Sequence, residues 1–208
     1  MTSYSPVPEK KHSRIQLRNR KRIIDAALEV FSQHGYRGAT LDQIAEQAGL
    51  SKPNILYYFD GKEAIHVTLL NKLMETWLDP LAKMDPDGDP LDEILGYMHR
   101  KMQMSRKFPR ESRLFANEIL QGAPRMGPHL ESGLKPLFEE KVALIQSWMD
   151  DGKLAASDPR HLIFSIWATT QHYADFEAQV SVLTKGDKAV FPGAEAYLDT
   201  LFRKVLEP

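Results

Sequence analysis

Apolar residues in the first third of the chain recur at helical spacing and stop abruptly at glycines. Leu41, Ile44, Ala45 and Ala48 fall at i, i+3, i+4 and i+7, one apolar face of a short helix. Thr40 precedes that face with Gln43 three residues on, a capping box that satisfies orphan backbone donors at a helix start. Gly49 supplies the left-handed turn that ends it. Ser51 caps a second helix at once, with Pro53 tolerated in its first turn. Upstream, Ile24, Ala27, Leu28 and Phe31 form the face of a helix that begins at Asn19 and ends at Gly35. Two short helices joined by a glycine turn and packed on a preceding helix make a helix-turn-helix pattern. In that motif the second helix enters the DNA major groove with its N-terminal residues leading.

After residue 62 no period-two strand pattern or Asn-Gly hairpin is visible, so the fold class is all-α. A fourth helix is expected over 61–83, with Leu70, Leu73, Met74, Trp77, Leu78 and Leu81 on one stripe; it leads out of the first unit and connects it to the body. Residues 85–90 read Asp-Pro-Asp-Gly-Asp-Pro, the plainest loop in the chain. Further helices are expected over 90–106, 113–121, 129–151 (entered or kinked at Pro136), 159–178 and 192–206. The last shows Ala194, Leu198, Leu201 and Val205 at near-heptad spacing. The resulting division is a disordered basic arm over 1–18, a three-helix DNA-binding domain over 19–62 and a larger helical domain over 63–208.

Charge sharpens this division. Residues 1–62 carry ten Lys or Arg against six Asp or Glu, and the remainder 17 against 22, within a net charge of −1. A positive head on an acidic body suits a protein that docks one end on a polyanion. Lys10, Lys11, Arg14 and Arg18 lie in the arm, which is either a solvated tail or a follower of phosphates and the minor groove. There is no cysteine, hence neither disulfide nor thiolate chemistry. No stretch of about 18 apolar residues and no signal-peptide core appears, so a soluble cytoplasmic protein without membrane association is expected.

Within the second short helix, Ser51, Lys52, Pro53 and Asn54 lead. Lysine donates to guanine O6 and N7, and asparagine pairs with adenine or a phosphate. Thr40, Tyr57, Tyr58 and Lys62 are better placed for the phosphate backbone, which positions without reading sequence. For the two tyrosines the alternative is ordinary packing on the first helix. One such helix reads few bases, so a two-fold homodimer on double-stranded operator DNA is expected. The apolar faces over 159–178 and 192–206 are the candidate interface, or else each subunit's own core.

The helix over 159–178 is unusually polar and aromatic for a central one. Trp167, Gln171 and Asp175 are spaced by four and share a face. An indole, an amide and a carboxylate suit a small planar heterocycle. Trp77 offers a second aromatic wall, and Phe115, Asn117 and Glu118 further lining. Ordinary core packing is the competing reading of these aromatics. His172 is expected as a core or pocket hydrogen-bonding group rather than a metal ligand.

The motifs T-L-D-Q-I-A from Thr40, A-G-L-S-K from Ala48, Y-Y-F from Tyr57 and G-K-E from Gly61 resemble the DNA-binding domain of the tetracycline-repressor (TetR) family of bacterial regulators. Many members carry Leu-Tyr where this chain has Ile55-Leu56, so the phosphate contact often made by that tyrosine is either missing here or taken over by Tyr57. The resemblance implies DNA contacts from the residues named above and a four-helix dimer interface from the last two long helices. The segments over 112–124, 161–176 and 74–81 are similar to the pyrimidine-utilisation regulators of the family. That similarity implies a repressor released by uracil or thymine, with Trp77, Trp167, Gln171 and Asp175 at the ligand. The effector is a ligand rather than a cofactor, and none of the latter is expected.

An enzyme is the first rival class. No Gly-rich phosphate loop, G-x-S-x-G elbow, metal-spaced His cluster or cysteine nucleophile is found, so neither catalytic residue nor metal site is expected. The second rival is a DNA-binding protein of the same fold with another effector, or with a protein partner instead of a small molecule.

Overall fold

The computed structural model describes residues 14–187 and 189–208, and every regular element among them is helical. The chain divides into two compact units between His66 and Val67. The first holds α1 (Arg14–Gly38), α2 (Leu41–Ala48), α3 (Lys52–Tyr58) and the opening of α4 (Lys62–Ala82). Because α1 begins at Arg14, residues 14–18 of the expected disordered arm are helical instead; the rest of that expectation, residues 1–13, lies outside the described residues. Gln16 in the added turn, and Asn19 and Arg20 just after it, meet the end of α3. Gln16 Nε2 donates to the Tyr57 hydroxyl at 3.2 Å and Asn19 Nδ2 to that of Tyr58 at 3.1 Å. Arg20 donates to the Tyr58 carbonyl at 3.1 Å and lies 4.3 Å from the centre of the Phe59 ring.

Local chemistry sets the turns of this unit as the sequence suggests. The Thr40 hydroxyl accepts from the Gln43 amide at 3.2 Å while the Gln43 side chain accepts from the Thr40 amide at 2.8 Å, the reciprocal capping box. Gly49, at φ 60°, closes α2 in the left-handed conformation, and the Ser51 side chain accepts from the Asn54 amide to open α3. Ile23, Ala27, Phe31, Ile44, Ile55, Phe59 and Ile65 form the core between the helices. Each large side chain buried there stabilises the unit by roughly 1.5–3 kcal/mol relative to exposure. His66 packs edge-on to Phe31 at 4.7 Å and against Tyr36 at 4.8 Å. Those contacts carry the unit to residue 66, four residues beyond the expected boundary.

The second unit continues with α5 (Pro90–Lys107), α6 (Pro109–Leu120), α7 (Gly127–His129), α8 (Lys135–Asp150), α9 (Pro159–Asp175), α10 (Glu177–Leu183) and α11 (Val190–Leu206). Ile94, Met98, Ile145, Trp148, Ile163, Ile166, Leu198 and Phe202 knit α5, α8, α9 and α11 into its core. At the partly buried edge, the two ring nitrogens of His99 on α5 lie 3.3 Å from Glu195 and 3.0 Å from Asp199 on α11. The expected long helix over 129–151 is not uniform: residues Leu130–Leu134 form a π-helical turn in which the Lys135 amide bonds back to the Leu130 carbonyl. Pro136 accounts for it, since a residue without an N–H cannot continue the ordinary ladder and the preceding turn widens.

Two further expectations are corrected. α9 ends at Asp175 rather than 178, because Phe176 leaves helical geometry (φ −111°, ψ 28°) before α10 starts. On α11, Ala194 and Leu198 belong to this subunit's own core, completed by Phe202 and Leu206, whereas Leu201 is half-buried and Val205 exposed. The stripe singled out for dimerisation is therefore divided between core and surface. No helix among the described residues is long and apolar enough to cross a membrane.

Candidate functional site

Ser51, Lys52, Pro53 and Asn54, at the start of α3, are all exposed, as is Thr40 at the start of α2. Lys52 Nζ pairs with Asp42 at 2.9 Å across the turn. An exposed pair of this kind is worth about 0–1 kcal/mol, so it holds the ammonium only weakly. Tyr57 is 70% exposed and meets the half-buried Tyr58 edge-to-face at 5.0 Å. Tyr57 thus presents an accessible phenol, while Tyr58 also packs in the unit. Lys62 departs from the expected phosphate role. Its ammonium donates to the Tyr36 carbonyl at 2.8 Å and the Ala39 carbonyl at 2.7 Å and lies 4.6 Å from the centre of the Tyr36 ring. It ties down the chain between α1 and α2 instead of facing outward.

The second unit contains a cavity of about 520 Å³ lined from α4, α5, α6, the π-helical turn and α9. Trp77, Phe115, Trp167, Gln171 and Asp175 all line it, although they come from three separate helices. Asn117 lines it as well. Glu118 does not: it is buried and accepts from the Arg125 backbone amide at 2.7 Å, with the Arg125 guanidinium 3.5 Å away. His172 is exposed, stacks on Phe176 at 4.9 Å and stays outside the cavity, contrary to its expected core or pocket role.

The walls are mostly apolar, with polar groups at a few places. The Trp167 indole N–H donates to the Tyr97 hydroxyl at 2.6 Å, which fixes the indole and leaves its ring, not its N–H, for a ligand. Burial raises the Tyr97 phenol well above its ordinary range, so it stays protonated. Asp175 Oδ1 accepts from the Ser112 hydroxyl at 2.6 Å. Burial raises the pKa of this carboxyl, against the opposing pull of that hydrogen bond and of Lys101, Arg113 and His172. Lys101 also lines the cavity and is 3% exposed; burial brings its ammonium down to about 8, while the charge on Asp175 acts in the opposite direction. Arg113 lines the wall but donates to the Ala174 carbonyl and to Glu177.

Tyr97 and Lys101 escaped the sequence reading. Their signal was present, because both fall four apart on the same stripe as Ile94, Met98 and Met102, and a lysine on an apolar helix face is unusual. The assembled site offers aromatic faces, a donor at Lys101, an acceptor at Asp175 and an amide of both kinds at Gln171, which fits a small flat polar molecule. No cluster of three or more His, Cys, Asp or Glu suited to a metal occurs among the described residues.

Comparison with known proteins gives the same two-part division. Residues 23–67 match the family described as bacterial regulatory proteins, tetR family, and residues 70–208 match the YcdC-like protein, C-terminal region. The chain is 49% identical to the HTH-type transcriptional regulator RutR of Escherichia coli strain K12 over 174 residues, 84% of this chain and 82% of that one. It is 25% identical to the HTH-type transcriptional repressor SCO4008 of Streptomyces coelicolor, over 89% of this chain and 94% of that one. Among solved structures, SCO4942 from Streptomyces coelicolor superposes with a TM-score of 0.73 at 25% identity, covering 91% of this chain and 99% of the other. AibR, in complex with isovaleryl coenzyme A and operator DNA, shares the fold with a TM-score of 0.68 at 14% identity, covering 91% and 99%. With a helix-turn-helix head and a cavity-bearing helical body each matched to the corresponding family region, the chain belongs to the TetR family of bacterial transcriptional regulators.

Proposed function

We propose that this regulator is a repressor that binds operator DNA as a homodimer and is released by a pyrimidine, uracil or thymine, held in the α4–α9 cavity, so that it controls pyrimidine catabolism. The observation that carries this reading is that Trp77, Phe115, Trp167, Gln171 and Asp175 line one cavity of about 520 Å³. Identity of 49% to RutR and the likeness of three body segments to pyrimidine-utilisation regulators support the choice of ligand. DNA contacts are assigned to Ser51, Lys52, Pro53 and Asn54 for the bases and to Thr40, Tyr57 and Tyr58 for phosphates; Lys62 supports the unit from within. Exposed Phe164 on α9, Phe176 between α9 and α10, Val182 and Leu183 on α10, and Tyr197 and Val205 on α11 favour cover by a second copy.

A ligand weakens DNA binding only by preferring a conformation that DNA does not. α4 carries Lys62 of the first unit and Trp77 of the cavity, which makes it the lever in this reading. The test is selection of bound duplexes from randomised DNA, followed by mobility-shift titration with uracil, thymine and cytosine. A two-fold symmetric site released by uracil or thymine but not cytosine is expected. DNA binding that none of the three bases alters overturns the pyrimidine assignment.

A further inference from the structure

Of the leucines and isoleucines between Thr40 and Asp60, Ile44 and Ile55 are buried and Leu41 and Leu50 half-buried, whereas Leu56 is 47% exposed. A single exposed leucine is ordinary on a protein surface, so its place decides what it means. Leu56 stands one helical turn beyond Lys52 and three residues beyond Pro53, and so shares the outer face of α3 with both; the exposed Tyr57 follows it. Ile55 carries the inner face. The setting is cationic rather than apolar, because Lys52 is exposed beside Leu56 and residues 1–62 carry ten Lys or Arg against six Asp or Glu. That charge selects a polyanion, not an apolar protein groove, as the occupant of this face. Leu56 has neither donor nor acceptor, so a phosphate gains no hydrogen bond from it. What a duplex does offer such a side chain is the C5-methyl of thymine, the apolar group among the base edges of the major groove.

We propose that Leu56 is a specificity-determining residue that reads thymine by its C5-methyl and so sets one A·T pair in each half-site of the operator. The inference rests on α3 being the operator-reading helix and deepens that reading by naming a base it selects. One turn of α3 advances about 5.4 Å, against about 3.4 Å per base-pair step, so this thymine lies one or two steps from the base that Lys52 meets. The contact separates thymine from cytosine, which presents an amino group and no methyl in the same place. It removes apolar surface of both partners from water. One methyl is therefore expected to change affinity about 4-fold in each half-site, and about 15-fold over the two half-sites that a homodimer reads.

The test is mobility-shift titration of the full chain, with no free pyrimidine present, on the duplex selected from randomised DNA. Each thymine of both half-sites is replaced in turn by deoxyuridine, which lacks only the methyl, so the protein itself is unaltered. The same scan is run on Leu56→Ala and Leu56→Met, with thermal melting to check that each folds. At one thymine per half-site, deoxyuridine is expected to weaken the wild type by the factors above. Leu56→Ala is expected to bind the thymine and deoxyuridine duplexes within about 2-fold of each other at that position, and Leu56→Met, which keeps an apolar side chain of similar reach, to retain part of the preference. A wild type indifferent to deoxyuridine at every thymine, or a folded Leu56→Ala that keeps the full preference, overturns the inference and leaves operator binding standing. A chain that selects no duplex at all removes operator binding and the inference with it.

Discussion

Replacing Lys101 with methionine is expected to stabilise the unliganded protein, the opposite of most core substitutions. The ammonium is 3% exposed, and burial depresses its pKa from 10.5 to about 8. At 1.36 kcal/mol per unit, that depression corresponds to about 3 kcal/mol by which folding disfavours the protonated side chain. Because the folded value lies below the unfolded one, the penalty is complete below pH 8, shrinks between pH 8 and 10.5, and is absent above. Methionine fills much the same space without a charge. Part of the gain is offset, since Asp175 loses the attraction of Lys101; its carboxyl keeps the Ser112 hydrogen bond and is already shifted upward by burial. A net gain of roughly 1–3 kcal/mol remains, about 3–10 °C in melting temperature for a chain of this size. Calorimetric melts of wild type and K101M at pH 7 and pH 10 measure it, with the difference between the proteins cancelling other titrating groups. A variant that melts below the wild type at pH 7, or a gap that does not narrow at pH 10, refutes the reasoning.

Three further substitutions separate roles assigned above. Thr40→Ala removes the reciprocal cap of α2 and is expected to cost about 1 kcal/mol, read as a lower melting temperature; an unchanged melt contradicts the cap's role. Lys62→Met strips the donor from two backbone carbonyls and is expected to destabilise by roughly 1.5–3 kcal/mol, while the folded protein keeps its DNA affinity; the reverse pattern in melting and mobility-shift assays restores the phosphate contact. Trp77→Ala is expected to abolish ligand-induced release with DNA affinity largely intact, and a variant that still releases normally sinks the assignment of that wall.

The sequence was most legible where local chemistry decides the structure. Thr40, Gln43, Gly49 and Ser51 specify caps and turns within a few residues, so α2 and α3 follow from pattern alone. The cavity was half legible: Trp167, Gln171 and Asp175 share a helix face and stand out, but Tyr97 and Lys101 were hidden in an otherwise apolar stripe. The role of Lys62 depends on carbonyls 23 and 26 residues away, a long-range pairing that no local pattern encodes. The division of α11 between core and surface likewise depends on which helices pack on it, since Ala194, Leu198, Leu201 and Val205 look equivalent by spacing. Residues 14–18 read as tail because the partner of Gln16, Tyr57 on α3, lies some forty residues on.

The central claim is that a pyrimidine binds between Trp77 and Trp167, and intrinsic tryptophan fluorescence of the purified protein tests it without knowledge of any operator. Trp77 and Trp167 line the cavity, whereas Trp148 is 3% exposed in the core and contributes a constant background. Titration with uracil or thymine is expected to give a saturable change in emission, and cytosine none. A flat titration with all three contradicts the claim and leaves a DNA-binding regulator whose effector must be sought among other flat, polar metabolites.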